Sequence, residues 1–373
     1  MKILKSVCET HHNAVKNLIN TVALARWKIW TGTKKPFQRF AQKAVETAEE
    51  FFEEQYHRAK ATVLIKEFCN SLLMKKICLL ACCGFFAWNA HAKLNVVCTT
   101  PDFGAIAAEI GGDKIAVTTL AKPTEDPHFV DAKPSFIVKL NHADAIIEGG
   151  AELEIGWLPP LLEGARNPKL EVGKPGRISC VEGISLLEVP GTLDRSKGDI
   201  HAAGNPHYMT DPLNGKIVAQ HIANSFCQLD PKSCEVFKMN LKKFNDQLET
   251  KLSEWQKILA PISAKQAVTY HNYWPYFAKR FGIRMDLFLE PKPGIPPSPA
   301  HLAEVITKMK SEKIRVITVE PYLNRKTAET VAAHTDAVVL DFAAFPTGAK
   351  GNSYLEWMDG LVKSLAKALA QKK

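Results

Sequence analysis

From residue 93 onward, short runs of β-branched and apolar residues alternate with longer stretches whose apolar positions recur at helical spacing. The runs NVVCT, IAVTTL, AIIEGG, QAVTY, VITVE and AVVLD predict strands, at residues 95–99, 115–120, 145–150, 266–270, 316–320 and 337–341. Helical patterns are predicted over 103–112, 134–143 and 212–227, the last opening on Asp211-Pro212, where Asp suits the cap and Pro the first turn. The longest uninterrupted pattern runs from Asp230 to about Leu259, with Val236, Phe237, Met239, Leu241, Phe244, Leu248, Leu252 and Trp255 at helical spacing and Pro261 beyond its end. α/β units precede this helix and follow it. The pattern therefore predicts two α/β lobes, residues 93–230 and 261–373, joined by a stiff connecting helix over 231–260. The Pro-rich stretch Pro291 to Pro299 reads as a surface loop inside the second lobe.

The chain is 373 residues long, beyond the size at which one core keeps growing, and its 46% hydrophobic and 23% charged residues belong to an ordinary globular protein. The net charge of +9 changes the picture less than it first suggests. Residues 1–92 carry 14 basic against 7 acidic residues, whereas residues 93–373 carry 34 against 32. A near-neutral body has no broad basic footprint, which argues against a nucleic-acid partner. The run ICLLACCGFFAW at 77–88 is too short to span a bilayer, which takes roughly 20 apolar residues. It follows Met74-Lys75-Lys76 and precedes Ala90-His91-Ala92, so residues 74–92 read as an export signal with a small-x-small cleavage site. Residues 1–73 then read as an upstream start assigned too early, or else as a cationic helical extension. Neither Cys82 nor Cys83 has the approach sequence of a lipid anchor, so the expectation is a soluble periplasmic monomer. Four Cys remain after the signal, without a CxxC among them, so a Cys-type zinc knuckle is excluded. Cys227 and Cys234 flank a turn, and either pair in an oxidising compartment or stand as two thiols.

Three His sit in turns or at strand ends: His128 in Asp126-Pro127-His128, His207 in Asn205-Pro206-His207, and His271 directly after VTY. Asp341 closes the strand-like AVVLD in the same way. Ligands of open α/β sheets bind at the carboxyl ends of strands. Three neutral imidazoles and one carboxylate make a four-coordinate shell suited to zinc, with Zn–N distances of about 2.0 to 2.1 Å. Separations of this length along the chain rule out a local metal motif, so tertiary structure must assemble the set.

At these residues the sequence resembles the metal-binding solute receptors of ABC importers for zinc and manganese. The likeness runs over essentially all of 93–373. It includes Gly111-Gly112-Asp113 before VTTL, Asp126-Pro127-His128 with Pro134-Ser135, Ala143-Asp144-Ala145, Asn205-Pro206-His207-Tyr208 with Asp211-Pro212, Tyr270-His271, Val319-Glu320-Pro321 and Asp341. The resemblance implies two α/β lobes on a long rigid helix and one metal ion in the cleft. It implies His128 and His207 as ligands from the first lobe and His271 and Asp341 from the second, with Glu320 as the reserve carboxylate. Dedicated zinc members carry a long His-rich acidic loop between the first two ligands. Here residues 188–204 offer His201, Asp194 and Asp199, and His201 is a secondary metal contact.

The function expected from this reading is capture of Zn2+ in the periplasm and delivery to an ABC permease and its ATPase. Mn2+ is the alternative cargo, but an imidazole at 271, where manganese members carry Glu, favours zinc. A metal-dependent adhesin on the same scaffold is a further alternative. A zinc hydrolase is disfavoured, because such an enzyme keeps a coordination position open for water and the chain has neither HExxH nor a nucleophile elbow.

Overall fold

The computed structural model describes residues 93–191, 201–347 and 353–371. The chain divides into two compact units, Met1–Ala90 and His91–Lys373, and all that follows concerns the second. The export signal expected at 74–92, the segment 1–73, and Asp194 and Asp199 lie outside the described residues.

Each half of this unit is built on a four-stranded parallel sheet. In the first, β1 (Leu94–Cys98), β2 (Ile115–Thr119), β3 (Ala145–Glu148) and β4 (Arg177–Ser179) lie in the order β2-β1-β3-β4. In the second, β5 (Gln266–Thr269), β6 (Arg284–Phe288), β7 (Val316–Val319) and β8 (Val338–Asp341) lie in the order β6-β5-β7-β8. All six predicted strands form. The two that the apolar pattern does not reveal, β4 and β6, both occupy sheet edges, where Arg177, Arg284 and Asp286 are tolerated because one side of the strand needs no cover.

The helices are α1 (Pro101–Gly111), α2 (Pro134–Asn141), α3 (Leu158–Ala165), α4 (Pro212–Leu229), α5 (Cys234–Leu259), α6 (Pro275–Phe281), α7 (Pro299–Glu312), α8 (Arg325–Ala333) and α9 (Tyr354–Ala370). Parallel strands require such crossovers, and both faces of each sheet are covered. On α4, Asp211 caps as expected, its carboxylate accepting from the Leu213 N–H. The long helix α5 starts four residues later than Asp230, because Pro231–Ser233 first form a tighter turn. At 1.5 Å per residue its 26 residues span about 39 Å. Its buried stripe is Phe237, Leu241, Phe244, Leu248, Trp255 and Leu259, a 3-4 spacing worth about 1.5 to 3 kcal/mol per large side chain. Met239, two residues off that stripe, faces solvent instead.

A core shared by both halves gathers around this stripe, while smaller clusters fill the far face of each sheet. The C-terminal helix α9 contributes more to it than its sequence suggests. A Ser353/Glu356 capping box starts α9, and Tyr354 then reaches the first lobe. The Tyr354 N–H donates to Glu109 of α1, and its hydroxyl donates to the Met209 carbonyl. Gly215 of α4 leaves room for this ring, since a Cβ there would stand 2.8 Å from it. At the other end of α5, the Trp255 indole donates to Asp359 of α9.

Cys227, near the end of α4, and Cys234, the first residue of α5, are joined as a disulfide seven residues apart in sequence. A loop this short yields about 2 kcal/mol by the chain-entropy estimate. Replacing both by Ser is expected to cost that stability and leave metal binding intact. Urea denaturation, with and without dithiothreitol on the wild type, measures the loss; identical midpoints would refute it.

Candidate metal centre

Two of the three histidine positions are built from the same local device. In Asp126-Pro127-His128, the Asp126 Oδ1 accepts from the His128 N–H at 2.9 Å and lies 2.8 Å from the imidazole Nδ1. In Asn205-Pro206-His207, the Asn205 Oδ1 accepts from the His207 N–H at 3.0 Å and lies 2.9 Å from its Nδ1. Short Asx side chains favour such turns two residues ahead, and the intervening Pro sets the backbone angle that lets the turn close. One acceptor oxygen thus holds both the backbone and the ring of the histidine. The sequence placed both histidines in turns, and the structure shows that the two turns share one Asx-Pro-His device.

His271 is positioned differently, by the β5 carboxyl end. The Thr269 hydroxyl donates to the His271 carbonyl, and the His271 Nδ1 lies 2.7 Å from Glu290 Oε2, just past β6. In all three residues Nδ1 is engaged, which leaves Nε2 to face the cleft. The three rings meet with centroid separations of 5.1 Å (His128–His207), 5.7 Å (His128–His271) and 5.3 Å (His207–His271). One ligand nitrogen from each lies within 4.8 Å of the other two. His207 Nε2 is buried and has no hydrogen-bond partner, the state expected of a donor waiting for a cation. The Tyr273 ring lies tilted against it with a centroid separation of 4.1 Å, and the Tyr208 hydroxyl anchors the loop by donating to the Gly149 carbonyl. The cleft in front holds about 260 Å³.

Electrostatics separates the rings. Burial, reinforced by the neighbouring imidazoles, holds His207 well below its ordinary range and His201 down to about 4. Burial also disfavours a charged His271, yet the hydrogen bond and charge of Glu290 outweigh it and raise that pKa. Burial alone would lift Asp126, but its bonds from His128 hold it below the usual carboxylate range. A cluster of imidazole nitrogens backed by carboxylates suits a divalent cation.

The sequence-predicted carboxylate ligand is not brought to this point. Asp341 is 74% exposed at the end of β8 and pairs with Arg325 at the start of α8. Strand alternation explains the discrepancy: the next residue, Phe342, is fully buried, so Asp341 must face outward. Glu320, at the end of β7, is fully buried; one oxygen accepts from the Trp274 indole at 2.6 Å and the other has no partner. Burial pushes its pKa up to about 7. His201 does enter the cleft, stacked on His128 at 5.2 Å. Two residues at the cleft were missed. Glu290 directly precedes the Pro-rich stretch read as a surface loop, whose Pro293 and Gly294 also line the cleft, and Glu188 lies in a segment with no motif. No local signal reports either role.

Comparison with known proteins decides the family. The profile described as ZnuA, zinc-uptake complex component A, periplasmic, matches residues 96–368. The chain belongs to this family. Its relatives include the metal ABC transporter substrate-binding lipoprotein FimA of Streptococcus parasanguinis, 27% identical over 303 residues, covering 79% of this chain and 94% of FimA. The manganese ABC transporter substrate-binding lipoprotein PsaA of Streptococcus pneumoniae is 26% identical over 312 residues, covering 80% of this chain and 97% of PsaA. Among solved structures, a zinc-bound deletion mutant of ZnuA superposes with a TM-score of 0.65 at 25% identity, covering 75% of this chain and all of that one. The Mn-bound periplasmic metal-binding protein of Candidatus Liberibacter asiaticus superposes with a TM-score of 0.61 at 23% identity, covering 74% and 99%. Family members are solute-binding receptors of metal ABC importers, not enzymes, so the protein is a metal ABC transporter substrate-binding protein. Receptors of this family work in the periplasm or on the cell exterior, often as lipoproteins. No helix among the described residues is long and apolar enough to cross a membrane.

Proposed function

We propose that this receptor captures zinc in the periplasm and delivers it to the permease and ATPase of its ABC importer. The observation that carries the choice of zinc is the donor set. All three clustered ligand atoms are imidazole nitrogens, while the nearby carboxylates Asp126 and Glu290 are spent on Nδ1 atoms behind the rings. Nitrogen donors favour zinc, and manganese prefers oxygen. The manganese reading draws on relatives such as PsaA, and it would need a carboxylate oxygen among the clustered ligand atoms.

His128, His207 and His271 hold the ion, and His201 supplies the fourth donor in place of Asp341. His201 faces the cleft as a neutral imidazole, whereas Asp341 would first have to leave Arg325. The Cys227–Cys234 bond suits an oxidising compartment such as the periplasm. The lobes take the boundaries 93–230 and 261–373 around the connecting segment 231–260, and the receptor acts as a monomer.

A chelator-stripped full chain titrated with zinc and manganese in competition, with stoichiometry read by native mass spectrometry, tests this. One tightly held zinc that manganese displaces poorly is the expected result. Preference for manganese would overturn the cargo, and no tight binding of either would overturn the site. In the same titration His201→Ala is expected to weaken zinc by about tenfold or more and Asp341→Ala by less than about twofold, by the usual scale of a ligand against an exposed ion pair. The reverse order would restore Asp341 as the fourth ligand.

A further inference from the structure

The two Asx-Pro-His turns differ at one atom. The turn that holds His128 uses a carboxylate, whereas the turn that holds His207 uses the amide of Asn205. The carboxylate has two equivalent acceptors, and the amide has an acceptor end and a donor end. The acceptor end, Oδ1, takes the His207 N–H and faces the His207 Nδ1. A backbone N–H only donates, so the amide cannot be reversed here. The His207 Nδ1 must then carry the proton, and Nε2 is the bare nitrogen.

The donor end, Nδ2, crosses to the other half of the molecule. It donates to the Asn272 carbonyl at 3.0 Å, one residue beyond His271, and to Glu188 Oε2 at 2.9 Å. The same Glu188 oxygen accepts from the Asn272 side chain at 2.8 Å. Glu188 stands at the cleft mouth with a φ of +54°, a left-handed conformation that Glu seldom adopts, so the surroundings hold it in place. The main chain of Asn205 is committed as well. Its N–H donates to the Leu187 carbonyl, and its carbonyl accepts from the Tyr276 hydroxyl, which in turn accepts from the Leu187 N–H. Every polar group of Asn205, itself only 9% exposed, is therefore used.

We propose that Asn205 is a positioning residue with two tasks. Its Oδ1 fixes His207 in the Nδ1–H tautomer, and its Nδ2, with Glu188 and Asn272, ties the His207 loop to the His271 loop. Aspartate in its place would retain the first task, as Asp126 does for His128, and lose the second. An amide is required where one side chain must both accept from a ligand and donate across the cleft. This assignment rests on the reading of the site as a metal centre, but its first task concerns the metal-free protein.

The test uses the full chain with 15N-labelled histidine and three variants. Long-range 1H–15N spectra of the metal-free protein read the His207 tautomer, and stopped-flow transfer to a chelator reads zinc release. Wild type is expected to hold the Nδ1–H form alone. Asn205→Asp should keep that tautomer and release zinc about tenfold faster. Asn205→Ala should populate the Nε2–H form and lose affinity by about 10- to 100-fold, the range typical of groups that orient a ligand. Glu188→Ala, an exposed change that touches no ligand and spares folding, should leave the tautomer intact and speed release several-fold. An unchanged tautomer in Asn205→Ala would overturn the first task. Wild-type release rates in both Asn205→Asp and Glu188→Ala would overturn the second. A tautomer shift in a protein whose wild type binds no zinc would leave Asn205 standing and refute the receptor reading.

Discussion

His128→Ala lowers zinc affinity by about 100- to 1000-fold without unfolding the protein. The magnitude follows from dividing the roughly 10 to 16 kcal/mol of a four-ligand zinc site among its donors, at about 1.4 kcal/mol per decade. The choice of His128 keeps the test clean. Its ring is not part of any hydrophobic cluster, and its partner Asp126 keeps part of its surface in water, so the substitution leaves no fully buried charge unpaired. His271→Ala is expected to weaken binding as much, but it also strands Glu290, which is only 10% exposed, and should lower the melting temperature as well. Chelator competition gives the affinity and a thermal melt gives the fold. Wild-type affinity in both variants would remove these imidazoles from the site.

Zinc binding weakens as the pH falls through the imidazole range, and it does so with fewer protons than four imidazoles suggest. Only the unprotonated ring binds metal, so a proton competes with zinc at each ligand that is charged when free. His207 lies well below its ordinary value and His201 at about 4, so neither carries a proton near pH 6 and neither releases one. His271, raised by Glu290, is protonated first as the pH falls, and the competition begins there. At most two protons should therefore leave per zinc at pH 6. Calorimetric titration in buffers of different ionisation enthalpy counts them directly. Three or four would mean that burial does not keep His207 and His201 neutral. The same effect keeps His207 and His201 ready at neutral pH, because neither ring must first be deprotonated.

Zinc capture and the Asn205 linkage meet in one feature of the cleft. Each of the three clustered imidazoles is backed through Nδ1: His128 by Asp126, His271 by Glu290, and His207 by Asn205. Two of these three backing groups are carboxylates, so negative charge lies behind the cluster without replacing the rings as ligands, which attracts a cation while the donors remain nitrogen. Arg280 of α6, bidentate on the Asp211 cap of α4 at 2.8 and 2.7 Å, adds a second tie between the halves close to the His207 loop.

The chain itself determined the elements whose signals are local. β-branched runs marked all six inner or apolar strands, and a 3-4 stripe marked α5. Asp211-Pro212 marked the start of α4, and Asx-Pro-His marked two of the three clustered histidines. Each signal is written within a few residues, because turn chemistry and side-chain period act over that distance. The tertiary structure alone decided which carboxylates belong to the site. Asp341 has the right chemistry at a strand end, but the pleat turns it to Arg325. Glu290 and Glu188 lie in stretches without a motif and reach the site because β6 and the segment after β4 end beside it. Charge and hydrogen bonding across the cleft depend on which chain ends the two sheets bring together, and no periodicity within either half records that.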